Sequence, residues 1–260
     1  MARWALVTGA SQGIGLELAR LAAVDGYGLV LVARSQDRLE ALAIELRRSG
    51  GEALTLGLDL SRRDAAERLV EWLGGRGIVP ELLCNNAGIG AYGLHRDVPL
   101  AAEQELLDLN VVTLTRLTKL LLPAMLARRS GRILNVASTA AFQPGPYMAV
   151  YYASKAYVLS YSEALGYELR GTGITVTALC PGPTVSGFQE RAVMRRARMV
   201  QGALLPLDSP AAVARAGYRG LLAGRPVVIP GLANWLLAES VRLAPRRLVT
   251  AISAWMSRPL

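Results

Sequence analysis

Histidine and cysteine are scarce in this chain of 260 residues, which has one histidine, His95, and two cysteines, Cys84 and Cys180. No His-x-x-x-His or Cys-x-x-Cys pair exists, so a metal site is not expected. A Ser-His-Asp hydrolase would have to use His95. The two cysteines are isolated in the sequence and suggest no disulfide framework, so we expect a reducing, cytoplasmic compartment.

Lysine is rare as well, because Lys119 and Lys155 are the only lysines among 29 basic residues and arginine supplies most of the net charge of +9. Residues 185–260 carry nearly all of this excess. Such a basic region suits a phosphate-bearing substrate, a membrane surface or nucleic acid, although a solvated arginine-rich face accounts for it equally well. Nucleic acid is not expected, since the arginines form no known binding motif and no aromatic side chains alternate with them.

Long hydrophobic runs are also missing. No uninterrupted apolar run reaches the length of about 18 residues that a membrane span requires, and the short apolar stretch near Trp4 does not resemble a signal peptide. The composition is nevertheless 52% hydrophobic and only 19% charged, which argues against a disordered chain.

Short apolar runs alternate with amphipathic stretches along the chain. The runs are rich in Val, Leu and Ile without polar alternation, which is typical of strands buried on both faces. Strands are predicted over 4–8, 29–33, 53–58, 82–85, 133–137, 175–180 and 226–229. Helices are predicted over 13–25, 36–49, 62–73, 101–129, 151–170 and 209–222. This order predicts an α/β fold with a Rossmann-type, doubly wound parallel sheet of about seven strands and helices on both faces.

A glycine-rich turn follows the first predicted strand. Glycines allow a tight turn and close approach of the backbone to a ligand, and the next helix points free N–H groups and its positive dipole end at that ligand. This context predicts a dinucleotide pyrophosphate site. Its residues are Gly9, Ser11, Gln12, Gly13, Ile14 and Gly15.

The end of the second predicted strand bears on the choice of dinucleotide. Ala33 and Arg34 stand where a fold specific for NAD would carry an acidic residue. Arg34 can pair with a 2′-phosphate and Ser35 can hydrogen-bond to it, so NADP(H) is favoured over NAD(H). The alternative is a solvated arginine at the start of a helix. Asp59 and Leu60, at the end of the third strand, are placed to meet an adenine edge.

A candidate proton-transfer pair opens the helix predicted over 151–170. Tyr151 and Lys155 are four residues apart and share one face. A phenol is a poor acid or base near neutral pH, but a nearby ammonium lowers its pKa, and such a tyrosine can exchange a proton with an alcohol oxygen. Ser138 ends the fifth strand at the edge where ligands bind. Asn110 lies in an otherwise apolar helix, where it is either functional or a satisfied structural amide.

The residues taken together resemble the short-chain dehydrogenase/reductase family, in its single-domain branch. The matching motifs are Thr8-Gly9-x-x-x-Gly13-x-Gly15, Asn85-Asn86-Ala87-Gly88, Asn110, Ser138, Tyr151-x-x-x-Lys155 and Pro181-Gly182. Their order and spacing match over roughly residues 3–230. The resemblance implies an oxidoreductase that transfers a hydride between a nicotinamide cofactor and a carbonyl or secondary alcohol. It also implies a homodimer or homotetramer.

The resemblance further implies roles for the matching residues. Tyr151 would be the general acid/base, and Lys155 would hold the nicotinamide ribose and lower the pKa of Tyr151. Ser138 would position the substrate oxygen, and Asn110 would complete a proton relay through water. Further cofactor contacts are implied at Asn86, Ala87, Gly88, Pro181, Gly182, Thr184 and Ser186. Gln12 stands where many NADP-dependent members carry a basic residue, which leaves Arg34 as the main 2′-phosphate ligand.

The regions outside these motifs are expected to select the substrate. Residues 1–230 are predicted as the dinucleotide-binding catalytic part, with a substrate lid at 184–208, and residues 231–260 as an amphipathic helical extension of the same domain. Two sets of apolar side chains suggest a pocket wall: Phe142, Pro144, Pro146, Tyr147 and Met148 before Tyr151, and Trp235, Leu236, Trp255 and Met256 in the extension. They favour a bulky hydrophobic substrate, such as a lipid-like, acyl or polycyclic carbonyl compound.

Two alternatives remain open from the sequence. The extension either packs on the domain or a partner subunit, or lies on an anionic membrane surface through its arginines, Trp and Leu. The whole chain could also be a catalytically silent dinucleotide-binding sensor, although a sensor would not need Ser138, Tyr151 and Lys155 together.

Overall fold

The computed structural model describes residues 3–185 and 207–258. The predicted lid at 184–208 therefore lies almost wholly outside the described residues, and so does Ser186.

Seven parallel strands form one sheet in the order β3-β2-β1-β4-β5-β6-β7. They are β1 (Trp4–Thr8), β2 (Gly28–Ala33), β3 (Ala53–Gly57), β4 (Leu82–Asn85), β5 (Gly131–Val136), β6 (Ile174–Leu179) and β7 (Val227–Val228). The strand order reverses between β1 and β4, which opens a crevice at the carboxyl ends of these strands. The predicted Rossmann-type sheet is confirmed, with strand bounds that differ from the predicted ones by at most two residues at either end.

Helices cover both faces of the sheet. They are α1 (Gly13–Val24), α2 (Gln36–Arg48), α3 (Ala65–Gly74), α4 (Leu100–Leu107), α5 (Leu114–Arg128), α6 (Ala149–Glu168), α7 (Pro210–Leu222), α8 (Leu232–Ser240) and α9 (Arg246–Ser257). Alternate strand residues pack on opposite layers, since Val7 and Leu31 join a core with α1, α2 and α7, whereas Leu6 and Val30 join a core with α3, α5 and α6. Burial on both faces explains why the strands lack polar alternation.

The single helix predicted over 101–129 is wrong in one respect. A π-helical turn at Asp108–Thr113 separates α4 from α5. The stretch Leu100–Arg128 is long and apolar enough to cross a membrane by length and hydropathy. Its α5 part instead packs Leu117, Leu121 and Met125 into the core against the sheet, so we assign the stretch to the helical layer of the fold.

The C-terminal extension consists of α8 and α9. Pro245 directly precedes α9, and the short turn between Ser240 and Pro245 ends α8. Pro245 accounts for this break between the two helices, because proline has no N–H to continue a preceding helix and is tolerated at a helix start.

Candidate active site

The glycine turn between β1 and α1 has the geometry of a phosphate-binding loop. Gly9 and Gly13 both adopt positive φ angles, of 67° and 61°, which other residues adopt only with strain. A Cβ on Gly15 would come within 2.4 Å of the Gly9 carbonyl oxygen. No side chain caps α1, whose N-cap residue is Gln12, so the first N–H groups of the helix face the crevice. These features suit a bound pyrophosphate.

The turn is held against the end of β4 by a small hydrogen-bond network. The Thr8 hydroxyl accepts hydrogen bonds from the backbone N–H groups of Asn86 and Ala87, at 3.0 and 3.1 Å, and donates to the Cys84 carbonyl. The Asn86 amide in turn donates to the carbonyl oxygens of Thr8 and Gly9. Asn86 therefore fixes the shape of the phosphate loop. Its neighbour Asn85 is a structural amide that donates to Thr118 and Asn135 inside the core.

Two arginines, Arg34 and Arg38, border the crevice beside this turn. Arg34, just after β2, pairs with Glu105 at 3.3 Å, and both side chains are about half exposed. Arg38, one turn into α2, donates to the Gln12 side chain at 3.0 Å. The sequence interpretation named Arg34 and missed Arg38, which lines the same cleft from the first turn of α2. Ser35 is the N-cap residue of α2 and makes no capping hydrogen bond.

Asp59 follows β3, the strand next to the one that leads to Arg34, and lines the same crevice. Burial raises the pKa of its carboxyl, but hydrogen bonds from the Ser61 hydroxyl and N–H, together with the charges of Arg34 and Arg62, outweigh burial and hold the pKa below its usual value. Asp59 is therefore a fixed acceptor at this edge, next to Leu60. This position suits the exocyclic amine of an adenine.

Asn110 lies in the π-helical turn and is buried there. Its side chain, 1% exposed, accepts a hydrogen bond from the Ile89 N–H at 3.0 Å and donates to the Ile89 carbonyl at 2.9 Å. It also donates to the Ser154 hydroxyl on α6. A Cβ on Gly88 would lie 3.2 Å from Asn110 Oδ1 and 3.4 Å from Lys155 Nζ. Asn110 thus ties the strand end, the π turn and α6 together behind the crevice.

Tyr151, Lys155 and Ser138 meet at the bottom of the crevice. Lys155 Nζ donates to the Val136 carbonyl at 2.8 Å and lies 5.8 Å from the centroid of the Tyr151 ring. Ser138 is the N-cap residue of the short 3₁₀ turn Thr139–Phe142, where its hydroxyl accepts from the Ala140 N–H. The same hydroxyl is also a hydrogen-bond neighbour of the Tyr151 phenol.

Burial is the main influence on the pKa values of Tyr151 and Lys155. Burial raises the pKa of Tyr151 well above its usual value, against a smaller lowering by the Ser138 hydroxyl. In the protein alone, desolvation of the phenolate therefore dominates the pKa of Tyr151, and the lowering expected from Lys155 stays a prediction. Burial also lowers the pKa of Lys155 to about 8. Near neutral pH the phenol carries its proton and Lys155 is mostly charged.

Tyr152 plays no part in this group. It is 5% exposed and packs with Ala140 and Met148, as its position on another face of α6 predicts. Burial raises the pKa of the Tyr152 phenol, against smaller lowerings by the nearby hydroxyls of Ser257 and Ser253.

The loop after β6 closes the far end of the crevice. Its Pro181 carbonyl accepts from the Thr139 N–H at 2.9 Å, and the Thr184 hydroxyl donates to the Gly182 carbonyl. Asn234 on α8 donates to Asp208 and to the Pro230 carbonyl. A Cβ on Gly182 would come within 2.3 Å of the Asn234 side chain. Asn234, which no local sequence signal marks, therefore packs the C-terminal extension closely against Gly182 of this loop.

One cleft of about 420 Å³ joins these parts. It is lined by most of the predicted site residues: Gly9, Ser11, Gln12, Gly13, Ile14, Arg34, Ser35, Asp59, Leu60, Asn86, Ala87, Gly88, Ser138, Tyr151, Lys155, Pro181, Gly182 and Thr184. Gly15 and Asn110 lie behind its wall.

The apolar wall of the cleft differs from the predicted one. Met148, Leu237, Ala238 and Met256 line the cleft. Two other members of the first predicted set, Pro146 and Tyr147, border a separate small pocket, and Phe142 packs against a core cluster. Trp235, Leu236 and Trp255 are among the exposed apolar residues and do not line the cleft. Tertiary packing, which the local sequence does not encode, decides these positions.

The cleft fits a nicotinamide dinucleotide. At the glycine turn, a Cβ on Gly9 or Gly15 would clash with the Asn86 side chain, so the turn needs glycine to keep this shape. Arginines border one end of the cleft, and a phenol, a hydroxyl and an ammonium meet at the other. Among the described residues, no group of three or more His, Cys, Asp or Glu side chains could hold a metal ion.

The chain is also similar to known proteins. The family model described as short chain dehydrogenase matches residues 3–196. Ketoacyl reductase HetN from Nostoc sp. is 36% identical over 177 residues, and a very-long-chain 3-oxoacyl-CoA reductase from Phaeosphaeria nodorum is 36% identical over 184 residues. The alignments cover 68% and 66% of this chain, but only 62% and 52% of those relatives.

A solved structure matches more of the chain. The short-chain dehydrogenase from Sphingobium yanoikuyae in complex with NADPH is 33% identical, with a TM-score of 0.82, and the match covers 93% of each chain.

Proposed function

The chain belongs to the short-chain dehydrogenase family, and on that premise we propose that it is an NADP(H)-dependent oxidoreductase that acts on the carbonyl or secondary alcohol of a bulky apolar compound. The observation that carries the proposal is the single cleft that joins the glycine turn, the two arginines and the group of Ser138, Tyr151 and Lys155.

NADP(H) is proposed rather than NAD(H) because of charge at the ribose end of the cleft. Arg34 and Arg38 both line it, and arginine binds a phosphate group through two parallel hydrogen bonds. The carboxylate that would hold a free 2′-hydroxyl is absent from the end of β2, where Ala33 stands. The NADPH complex of the Sphingobium relative supports the same choice. A kcat/KM that clearly favours NADH would contradict it.

The glycine turn and the two arginines would hold a nicotinamide dinucleotide, which would supply or accept the hydride at the carbonyl carbon. In the direction of reduction, the Tyr151 phenol donates its proton to the carbonyl oxygen, and its raised pKa keeps that proton in place until the reaction. The Ser138 hydroxyl orients the same oxygen. Lys155, fixed by the Val136 carbonyl, presents its charge near the phenol and stabilises the phenolate that forms.

An acyl chain is the substrate class that we favour. Met148, Leu237 and Met256 give the cleft an apolar wall beyond the reacting groups, and methionine adapts to chains of varied shape. The names of the relatives, a ketoacyl reductase and a very-long-chain 3-oxoacyl-CoA reductase, point to the same class.

A panel of 3-oxoacyl thioesters of increasing chain length tests the proposal through NADPH oxidation. Each buried methylene contributes about 0.8 kcal/mol, so kcat/KM should rise roughly fourfold per methylene until the cleft is full. Met256→Ala should flatten this rise, whereas Leu248→Ala, on the exposed side of the same helix, should leave it unchanged.

Two results would contradict the proposal. Equal kcat/KM for all chain lengths would exclude an acyl-binding wall. Tight NADPH binding without turnover of any carbonyl compound would favour the alternative, a catalytically silent dinucleotide-binding sensor.

A further inference from the structure

The helix α8 buries small and polar residues and exposes its large apolar ones, which is the reverse of an ordinary surface helix. Its two buried residues are Asn234 and Ala238, whereas Leu232, Trp235 and Leu236 point outward, with Leu232 73% exposed. A surface helix normally turns its apolar stripe to the core and its polar side to water. Here the large apolar side chains face the solvent.

The helix α9 repeats the pattern. It buries Val249, Ser253 and Ser257, of which two are hydroxyl residues. Leu248, Ile252 and Trp255, spaced four and three residues apart, are about half exposed. In the turn between the helices, Leu243 is 90% exposed. We call these side chains the outer face: Leu232, Trp235, Leu236, Leu243, Leu248, Ile252 and Trp255.

The outer face is bordered by positive charge. Arg242, Arg246, Arg247 and Arg258 are exposed on the same segment, and Glu239, which pairs with Arg242 at 3.1 Å, is the only acidic residue between 231 and 260. Exposed apolar patches mark interaction sites. A second copy of this chain would bring like charges together at the same patch, whereas anionic lipid headgroups would complement them.

We propose that the outer face binds the surface of an anionic lipid bilayer, with its Leu, Ile and Trp side chains in the interface and its arginines at the headgroups. Helices that lie in a membrane interface combine these two features, a basic border and an apolar face with Trp. The proposal concerns binding alone and does not depend on the oxidoreductase activity.

The helices α8 and α9 also form part of the cleft, so the outer face lies beside a route by which substrate can enter. Leu237 lines the cleft and is 46% exposed, and Met256 lines it from α9. The Tyr92 hydroxyl fixes the end of α9 by donating to the Ser257 carbonyl at 2.6 Å. The apolar side of the cleft therefore opens beside the outer face, where an apolar substrate could pass from lipid into the protein.

Co-sedimentation of the full chain with vesicles tests the proposal. We expect binding to vesicles of phosphatidylcholine mixed with phosphatidylglycerol, little binding to pure phosphatidylcholine, and weaker binding at high salt. Each arginine near an anionic surface contributes about a factor of five, so Arg246→Gln with Arg247→Gln should weaken partitioning about 30-fold. Leu248→Ser with Ile252→Ser should also weaken it, at any salt concentration.

Matched controls are available at the other edge of the sheet. Arg48→Gln with Arg63→Gln removes two exposed arginines there and should leave vesicle binding close to that of the wild type. Tryptophan emission adds a second readout, because two of the four tryptophans, Trp235 and Trp255, belong to the outer face. Lipids with brominated acyl chains should quench part of the emission. Thermal unfolding and NADPH titration verify that each variant is folded.

Three results would overturn the proposal. The first is no binding to either kind of vesicle. The second is binding that the outer-face variants and the control variants weaken equally. The third is a loss of self-association in the outer-face variants without any vesicle binding, which would assign the face to contact between copies of the chain.

Discussion

Replacement of Arg34 should change the choice of cofactor in a predictable way. In the protein alone, Arg34 is paired with Glu105, and both side chains are about half exposed. Such an exposed pair contributes about 0–1 kcal/mol. A charge-assisted hydrogen bond to a phosphate contributes about 1.5–3 kcal/mol. After allowance for the lost pair with Glu105, Arg34 should favour NADPH by about 1–2 kcal/mol.

The free-energy difference translates into a measurable loss of affinity. Arg34→Ala should raise the Kd for NADPH roughly 5- to 30-fold and leave the Kd for NADH within about twofold, since 1.4 kcal/mol corresponds to a factor of ten. Glu105→Gln should have the opposite effect and tighten NADPH binding up to about fivefold, because it frees Arg34 and removes a negative charge near the phosphate. Arg38→Ala should act in the same direction as Arg34→Ala.

Fluorescence titration with both cofactors at two salt concentrations provides the assay. Arg48→Ala, at the last turn of α2, is the matched control and should affect neither cofactor. An equal loss of affinity for NADPH and NADH in Arg34→Ala would show that the arginine does not contact the 2′-phosphate. Unchanged affinity for NADPH in the double variant at Arg34 and Arg38 would refute the reasoning entirely.

Three further predictions concern the residues that shape the cleft. Asn110→Ala should lower the free energy of unfolding by about 2–4 kcal/mol in urea titrations, because it leaves the Ile89 N–H and carbonyl without their partner; an unchanged midpoint would contradict this. Gly182→Ala should weaken NADPH binding by more, in kcal/mol, than it lowers the free energy of unfolding, because its Cβ would displace Asn234. A Kd for NADPH equal to that of the wild type would show that the loop tolerates the shift. Lys155 has a folded pKa lowered to about 8 from 10.5, so the unfolded chain binds more protons between these values. As the pH rises from 8 to 10, the free energy of unfolding of the wild type should therefore increase relative to that of Lys155→Met. A difference between the two that does not change with pH would refute the lowered pKa.

Much of the fold was predictable because its signals are local. Buried parallel strands are continuous apolar runs, and glycine, Pro245 and the polar residues at strand ends mark where elements begin and end. The phosphate turn was predictable for the same reason, since Gly9 and Gly13 need conformations that other residues avoid.

The parts that the sequence did not reveal depend on contacts between distant residues. The π turn around Asn110 depends on hydrogen bonds to Ile89 and Ser154, which lie 21 and 44 positions away. The role of Asn234 depends on the fold bringing α8 against Gly182. The raised pKa of Tyr151 follows from its burial in the folded chain, which the spacing of the motif does not show.

The sequence also did not show which side of α8 and α9 packs against the domain. The pattern of Leu, Trp and Arg showed that the extension is amphipathic, but it could not show whether the apolar side faces the domain or the solvent. In the structure, Asn234 and the Ser253 and Ser257 hydroxyls are turned inward, and the large apolar side chains are left outside. The oligomeric state and the cellular location stay predictions.

Turnover and cofactor binding by Tyr151→Phe test the central claim most directly. The substitution removes the proton donor and keeps the ring that lies above Lys155. The account predicts that NADPH binds with nearly the affinity of the wild type, while kcat for a 3-oxoacyl thioester falls by at least about a hundredfold. A kcat close to that of the wild type would contradict the assignment of Tyr151 as the general acid.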